Sequence, residues 1–191
     1  MSIQLVGKDD PKQFKETSSY VVAFVGSAGY KLCSGVVNKQ YIQKTGVRAA
    51  THILTVEKPS VKTRSKAASR NLGGFALLRK HNNYIYIDVI CGRGHGKDII
   101  SYIELLAKAW KLRFIVLSAL PPPIPTYRKW GFIFGDKVCN EDNTIANMYR
   151  RSGKMTDAIY EQLIRKKYAS NKGCDKIFNC HANGYVMTKC I

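Results

Sequence analysis

The chain has 191 residues, of which 45% are hydrophobic, and its 31 lysines and arginines against 13 aspartates and glutamates give a formal charge of +18. That length suffices for a single domain, residues 1–191, with a full core, and no apolar run approaches the ~20 residues that a membrane-spanning helix needs. The start, MSIQLVGKDD, lacks the basic and apolar stretches of a leader, so the expectation is a protein inside the cell, cytoplasmic or nuclear and not secreted, with its 6 cysteines reduced.

In chain order, DPKQFKETSS (10–19) reads as a short helix and YVVAFVG (20–26) as a strand. THILTVEK (51–58) is a strand, and the polar, basic PSVKTRSKAASRN (59–71) reads as a flexible loop. GGFALLRK (73–80) and NYIYIDVIC (83–91) are β-rich runs joined by a short turn, a hairpin. From Lys97 the period changes: Ile99, Ile100, Ile103, Leu106, Ala107 and Trp110 fall on one face of a helix of about four turns. RFIVLSAL (113–120) is a strand apolar enough to be buried on both sides, so strand, helix and strand form a βαβ unit with a parallel pair. PPPIPTYRKWGFIFGD follows, its helix starting near Pro125 because proline cannot donate within a helix. A helix near 155–168 and a strand, GYVMTKC (184–190), close the chain.

CGRGHGK (91–97) lies at the joint between strand and helix. Gly92, Gly94 and Gly96 permit positive φ and close approach to the backbone, and the helix N-terminus presents amides without intrahelical partners. Arg93 and Lys97 add charge. Such a loop either cradles a pyrophosphate or only reverses the chain. It matches neither a P-loop nor the Gly-x-Gly-x-x-Gly dinucleotide pattern. Cys174, Cys180 and His181 match no zinc spacing, so no metal is expected.

Taken together, the strand, CGRGHG, the amphipathic helix, the buried strand and TYRKWGF resemble the GCN5-related N-acetyltransferase (GNAT) superfamily. Its loop signature, Gln/Arg-x-x-Gly-x-Gly/Ala, is met from Gly92 to Gly96 except that Cys91 takes the first place. Its later signature, a Tyr followed four residues on by Gly-Phe, is met by Tyr127, Gly131 and Phe132. The resemblance covers about residues 73–135 and implies a twisted, mostly antiparallel sheet with a central parallel βαβ pair and flanking helices, an α/β fold. It further implies an acetyl-CoA-dependent N-acetyltransferase acting by direct transfer to a primary amine in a ternary complex. The acceptor is open: a small molecule, a protein lysine or a protein N-terminus.

On that reading the cosubstrate is held by Gly92, Arg93, Gly94, His95, Gly96 and Lys97. A backbone N–H among Val89, Ile90 and Cys91 meets the oxyanion, and Tyr127 is the general acid for the leaving thiolate. Asp88, acidic within an otherwise apolar strand, is the candidate base, with Glu57 and His52 weaker choices. Ser118 bonds the pantetheine or orders a water. The alternative is a GNAT-fold protein, weakly active or inactive, that binds nucleic acid through its basic surface; the basic residues are scattered in runs such as 62–70, 149–154 and 164–168, a pattern usual for solvated faces.

Overall fold

A computed structural model describes residues 2–26, 39–58, 72–92, 94–135, 143–165 and 184–191, with the side chains of 163–165 excepted. The expected loop at 59–71 and the basic run 166–168 lie outside the described residues. Among the described residues, seven strands form one sheet in the order β1-β2-β3-β4-β5-β7-β6. They are β1 (Ser2–Gly7), β2 (His52–Glu57), β3 (Leu72–Lys80), β4 (Tyr84–Gly92), β5 (Phe114–Ala119), β6 (Ile133–Phe134) and β7 (Tyr185–Cys190). β4 and β5 pair in parallel and the other neighbours pair antiparallel. This is the mixed, mostly antiparallel α/β architecture that the motifs imply.

The first helix, α1 (Pro11–Phe24), corrects the strand reading of 20–26. Asp10 Oδ1 accepts the Gln13 N–H at 3.0 Å and Pro11 opens the helix. Phe14, Thr17, Ser18, Val21 and Val25 are buried at helical spacing, so tertiary burial outweighs the β preference of the Val-Val run. A second helical run, α2 (39–49), is α at Lys39–Tyr41, π at Ile42–Gly46 and α again at Val47–Ala49. It was not legible beforehand, nor were β1 and α5 (Asn143–Arg151).

The βαβ unit stands as expected. Helix α3 (Gly96–Ala109) buries Ile99, Ile100, Ile103 and Ala107 against Ile85, Ile87 and Leu117. Each buried isoleucine contributes roughly 1.5–3 kcal/mol relative to exposure. Helix α4 (Ile124–Lys129) starts behind Pro123 and packs Ile124 and Tyr127 on the same side, and α6 (Asp157–Arg165) places Tyr160 there too. The opposite side of the sheet holds α1 and α2 over Ile53, Phe75, Leu77 and Val89, and α5 over Tyr84, Phe114 and Val116.

One irregularity in β4 decides the rest. Leu78 faces Ile87 and Leu77 faces Val89, so Asp88 is an extra residue, a β-bulge. Before it, Ile85 and Ile87 point to the α3 side; after it, Val89 and Cys91 point to the α1–α2 side. The inserted residue resets the alternation of the strand.

Candidate active site

β4 and β5 stay paired from Tyr84↔Phe114 to Ile87↔Leu117. Beyond that point β4 continues with β3 alone, while Ser118 and Ala119 continue with β7. The two central parallel strands therefore part at the bulge. Their separation exposes the edge of Val89, Ile90 and Cys91, where the resemblance places the oxyanion donor.

At the far end of β4 the chain turns through Gly94, at φ +79°, into α3. An L side chain is strained at that φ, yet a Cβ there would meet nothing within 4 Å, so the space over the turn is open. Gly92 is half-buried against Ile99, and a Cβ on Gly96 would lie 2.6 Å from the Trp130 ring. The helix begins at His95, which makes no side-chain capping hydrogen bond; its Nδ1 lies 3.3 Å from Asp98 Oδ2. Lys97 is exposed beside it, and Arg93 lies outside the described residues. Uncapped first-turn amides, the positive end of the helix dipole and open space over Gly94 suit a pyrophosphate.

Tyr127 is buried on the α3 side, edge-on to Trp130 and Phe132 at 5.7 and 5.8 Å between ring centroids. Burial pushes its hydroxyl pKa up to about 12. The end of α4 is tied down by Lys189 Nζ, which donates to Trp130 O and to Glu104 Oε1, both at 2.6 Å. Trp130 thus links the turn after Tyr127 to the first turn of α3.

On the opposite side the bulge aims Asp88 toward Arg79. Arg79 Nη2 donates to Asp88 Oδ1 at 2.8 Å, and the Tyr41 hydroxyl donates to the same oxygen at 3.4 Å. The Asp88 side chain is only 4% exposed, and its Oδ2 is buried without a hydrogen-bond partner. Arg79 lies over the Tyr86 ring at 5.4 Å, and the Tyr86 hydroxyl donates to Ser118 Oγ at 3.1 Å, across the strands where they begin to part. Burial first, then the Asp88 charge, raises the Tyr41 pKa to about 12; burial also raises that of Tyr86. Both therefore remain donors at neutral pH.

The other expected residues lie elsewhere. Glu57 faces Leu72, five residues along β3 from the Leu77 that Asp88 adjoins, roughly 17 Å at ~3.3 Å per residue. His52 faces Leu78 on the α3 side, its ring 4.8 Å from Trp110, and burial holds its pKa below the usual value. Neither joins Asp88. Cys91 is 1% exposed and disulfide-bonded, its partner outside the described residues, which corrects the expectation of reduced thiols throughout and removes it as a nucleophile. Sequence spacing does not reveal which cysteines the fold brings together. Tyr41, Arg79, Tyr86 and Trp130 were not singled out; the register sets Arg79 across from Tyr86, whereas a two-residue turn at 81–82 would set it across from Tyr84.

The fold has solved counterparts. Tetrahymena GCN5 superposes with a TM-score of 0.56 at 12% identity, covering 100% of this chain and 96% of that one. An acetyltransferase of the GNAT family from Staphylococcus aureus Mu50 gives 0.51 at 10% identity, covering 99% of each chain. The chain therefore has the GCN5-related N-acetyltransferase fold. No family model matches its sequence, and no curated protein matches it. Among the described residues, no helix is long and apolar enough to cross a membrane, and no three His, Cys, Asp or Glu side chains gather as metal ligands.

Proposed function

We propose that residues 1–191 form one acetyltransferase domain that uses acetyl-CoA and passes the acetyl group directly to a primary amine in a ternary complex. The observation that carries this reading is the parting of β4 from β5, with a glycine turn and helix N-terminus at one end and a buried carboxylate at the bulge. Gly92, Gly94, His95, Gly96 and Lys97 hold the pyrophosphate, and Ser118 lines the gap through which the pantetheine runs.

The reaction forms a bond between the amine nitrogen and the acyl carbon and breaks the bond from that carbon to sulfur. The amine arrives as an ammonium with a pKa near ~10.4 and must lose a proton first. Asp88 Oδ2, lacking a partner, accepts it directly or through a water. A freed backbone N–H of Val89, Ile90 or Cys91 stabilises the oxyanion, a contribution of about 3–4 kcal/mol. Tyr127 donates to the leaving sulfur. With its pKa at about 12 and a thiol near ~8.5, full transfer to a formed thiolate is uphill. Tyr127 therefore acts as a hydrogen-bond donor whose proton moves only as the carbon–sulfur bond breaks.

Nothing beyond the charge favours the nucleic-acid alternative. Titration calorimetry of acetyl-CoA and CoA against the wild type and Gly94→Trp tests the reading. Micromolar binding, lost in a variant whose circular dichroism is unchanged, supports it; no heat with the wild type overturns it.

A further inference from the structure

This inference rests on the acetyltransferase reading and names the acceptor. We infer that the acceptor is an amine carried on an anionic molecule, with a carboxylate a few bonds from the reacting nitrogen, and that polyamines are rejected.

The charge around Asp88 supplies the argument. Arg79 and Tyr41 both occupy Oδ1, so the carboxylate and the guanidinium sum to zero and only Oδ2 remains for a ligand. The other polar groups of the network, on Tyr41, Tyr86 and Ser118, are neutral hydroxyls. Among the described residues, a single ammonium finds an acceptor there and a second finds none. Of the carboxylates that recognition of a polycation would recruit beside Asp88, Glu57 lies beyond reach at the end of β2, and Asp136 lies outside the described residues.

Facing Asp88 from outside is α2. Its π turn, closed by Val47 N–H to Ile42 O, brings Tyr41 and Gly46 to one side although they are five residues apart. Tyr41 touches the carboxylate, and a Cβ on Gly46 would lie 3.9 Å from Oδ2. The charged residues of 39–49 are Lys39, Lys44 and Arg48, all exposed, with no carboxylate among them. Helix α1, which shares the core under α2, adds Lys12 and Lys15 against Glu16. Arg79 is itself 31% exposed, with donors that Asp88 does not use. A neutral pair beneath a helix whose charged residues are all basic repels a second cation and attracts a carboxylate.

The test compares amines of one chain length with acetyl-CoA, following thiol release: 4-aminobutyrate, butylamine and putrescine. At low salt, kcat/KM falls in that order, with about tenfold between first and last. At roughly 0.5 M salt, where the Debye length is only ~4 Å, the ratio contracts. The exposed double variant Lys44→Glu/Arg48→Glu contracts it at low salt. A peptide whose single lysine is flanked by glutamates identifies the source of the carboxylate: faster than 4-aminobutyrate, it makes the acceptor an acidic peptide, and slower, a free amino acid. Either result upholds the inference. Putrescine equal to or faster than 4-aminobutyrate, or a ratio that ignores salt and the double variant, overturns it while acetyl-CoA binding stands. Failure to bind acetyl-CoA at all removes both readings.

Discussion

The two sides of the sheet meet at β4 and bind by different means. On the α3 side the cradle is made of main chain: a glycine turn, uncapped helix amides and space over Gly94. On the α2 side the groups are side chains drawn from four elements: Tyr41, Arg79, Asp88, Tyr86 and Ser118. Main-chain donors survive most substitutions as long as the turn keeps its shape. An ion pair with one buried partner does not, because removing Arg79 would leave Asp88 charged and desolvated. The first side can therefore be damaged only by bulk, the second by chemistry.

Asp88→Ala is the largest expected effect and tests that separation. It leaves Arg79, 31% exposed, without its partner, which costs about 1–3 kcal/mol, and it lowers transfer about a hundredfold. Urea melts and thiol-release rates measure the two, and Asp88→Leu/Arg79→Met restores the stability without restoring the rate. Acetyl-CoA affinity by calorimetry stays near wild type; a parallel loss would show that the two sides are not independent.

Tyr127→Phe comes next, lowering kcat by about fiftyfold with little change in KM for acetyl-CoA. Tyr127 is protonated below its pKa of about 12. The wild-type kcat/KM profile therefore rises with pH as the amine deprotonates, and no falling limb from this residue enters below about pH 11.

Gly96→Ala sharpens the contrast from the cradle side. The new Cβ would press on Trp130 at 2.6 Å, so acetyl-CoA binds about fivefold more weakly, while the rate of the bound complex holds. The smallest effect belongs to His52. Its pKa is held below 6.5 by burial, so the unfolded chain takes up the proton first. The stabilisation is complete above pH 6.5 and is lost as pH falls from there toward the folded value, and thermal melts across that range would show the decline.

Local pattern made one side legible. Strand, glycine turn, amphipathic helix and buried strand follow one another within 84–119, so the periodicity of 97–110 and the spacing from Gly92 to Tyr127 carried the βαβ unit and the fold. The other side is assembled over long separations. Asp88 could be marked as anomalous in an apolar strand, but its contact with Tyr41 spans 47 residues and depends on a π turn that no propensity announces. The helix over 20–24 was misread because Val21 and Val22 favour strands in isolation and helix only under burial. The disulfide at Cys91 depends on a pairing that no spacing encodes.

The bulge in β4 makes chain length itself a determinant of the site. Replacing Asp88 changes one side chain; deleting it would remove the bulge itself. Ile87 opposite Leu78 and Val89 opposite Leu77 would then follow one another in an unbroken ladder with their faces unchanged, and what would go is the carboxylate and the irregularity at which β4 leaves β5. In an alignment of distant relatives, a one-residue gap at this point would therefore mark the loss of the bulge and of the carboxylate it carries.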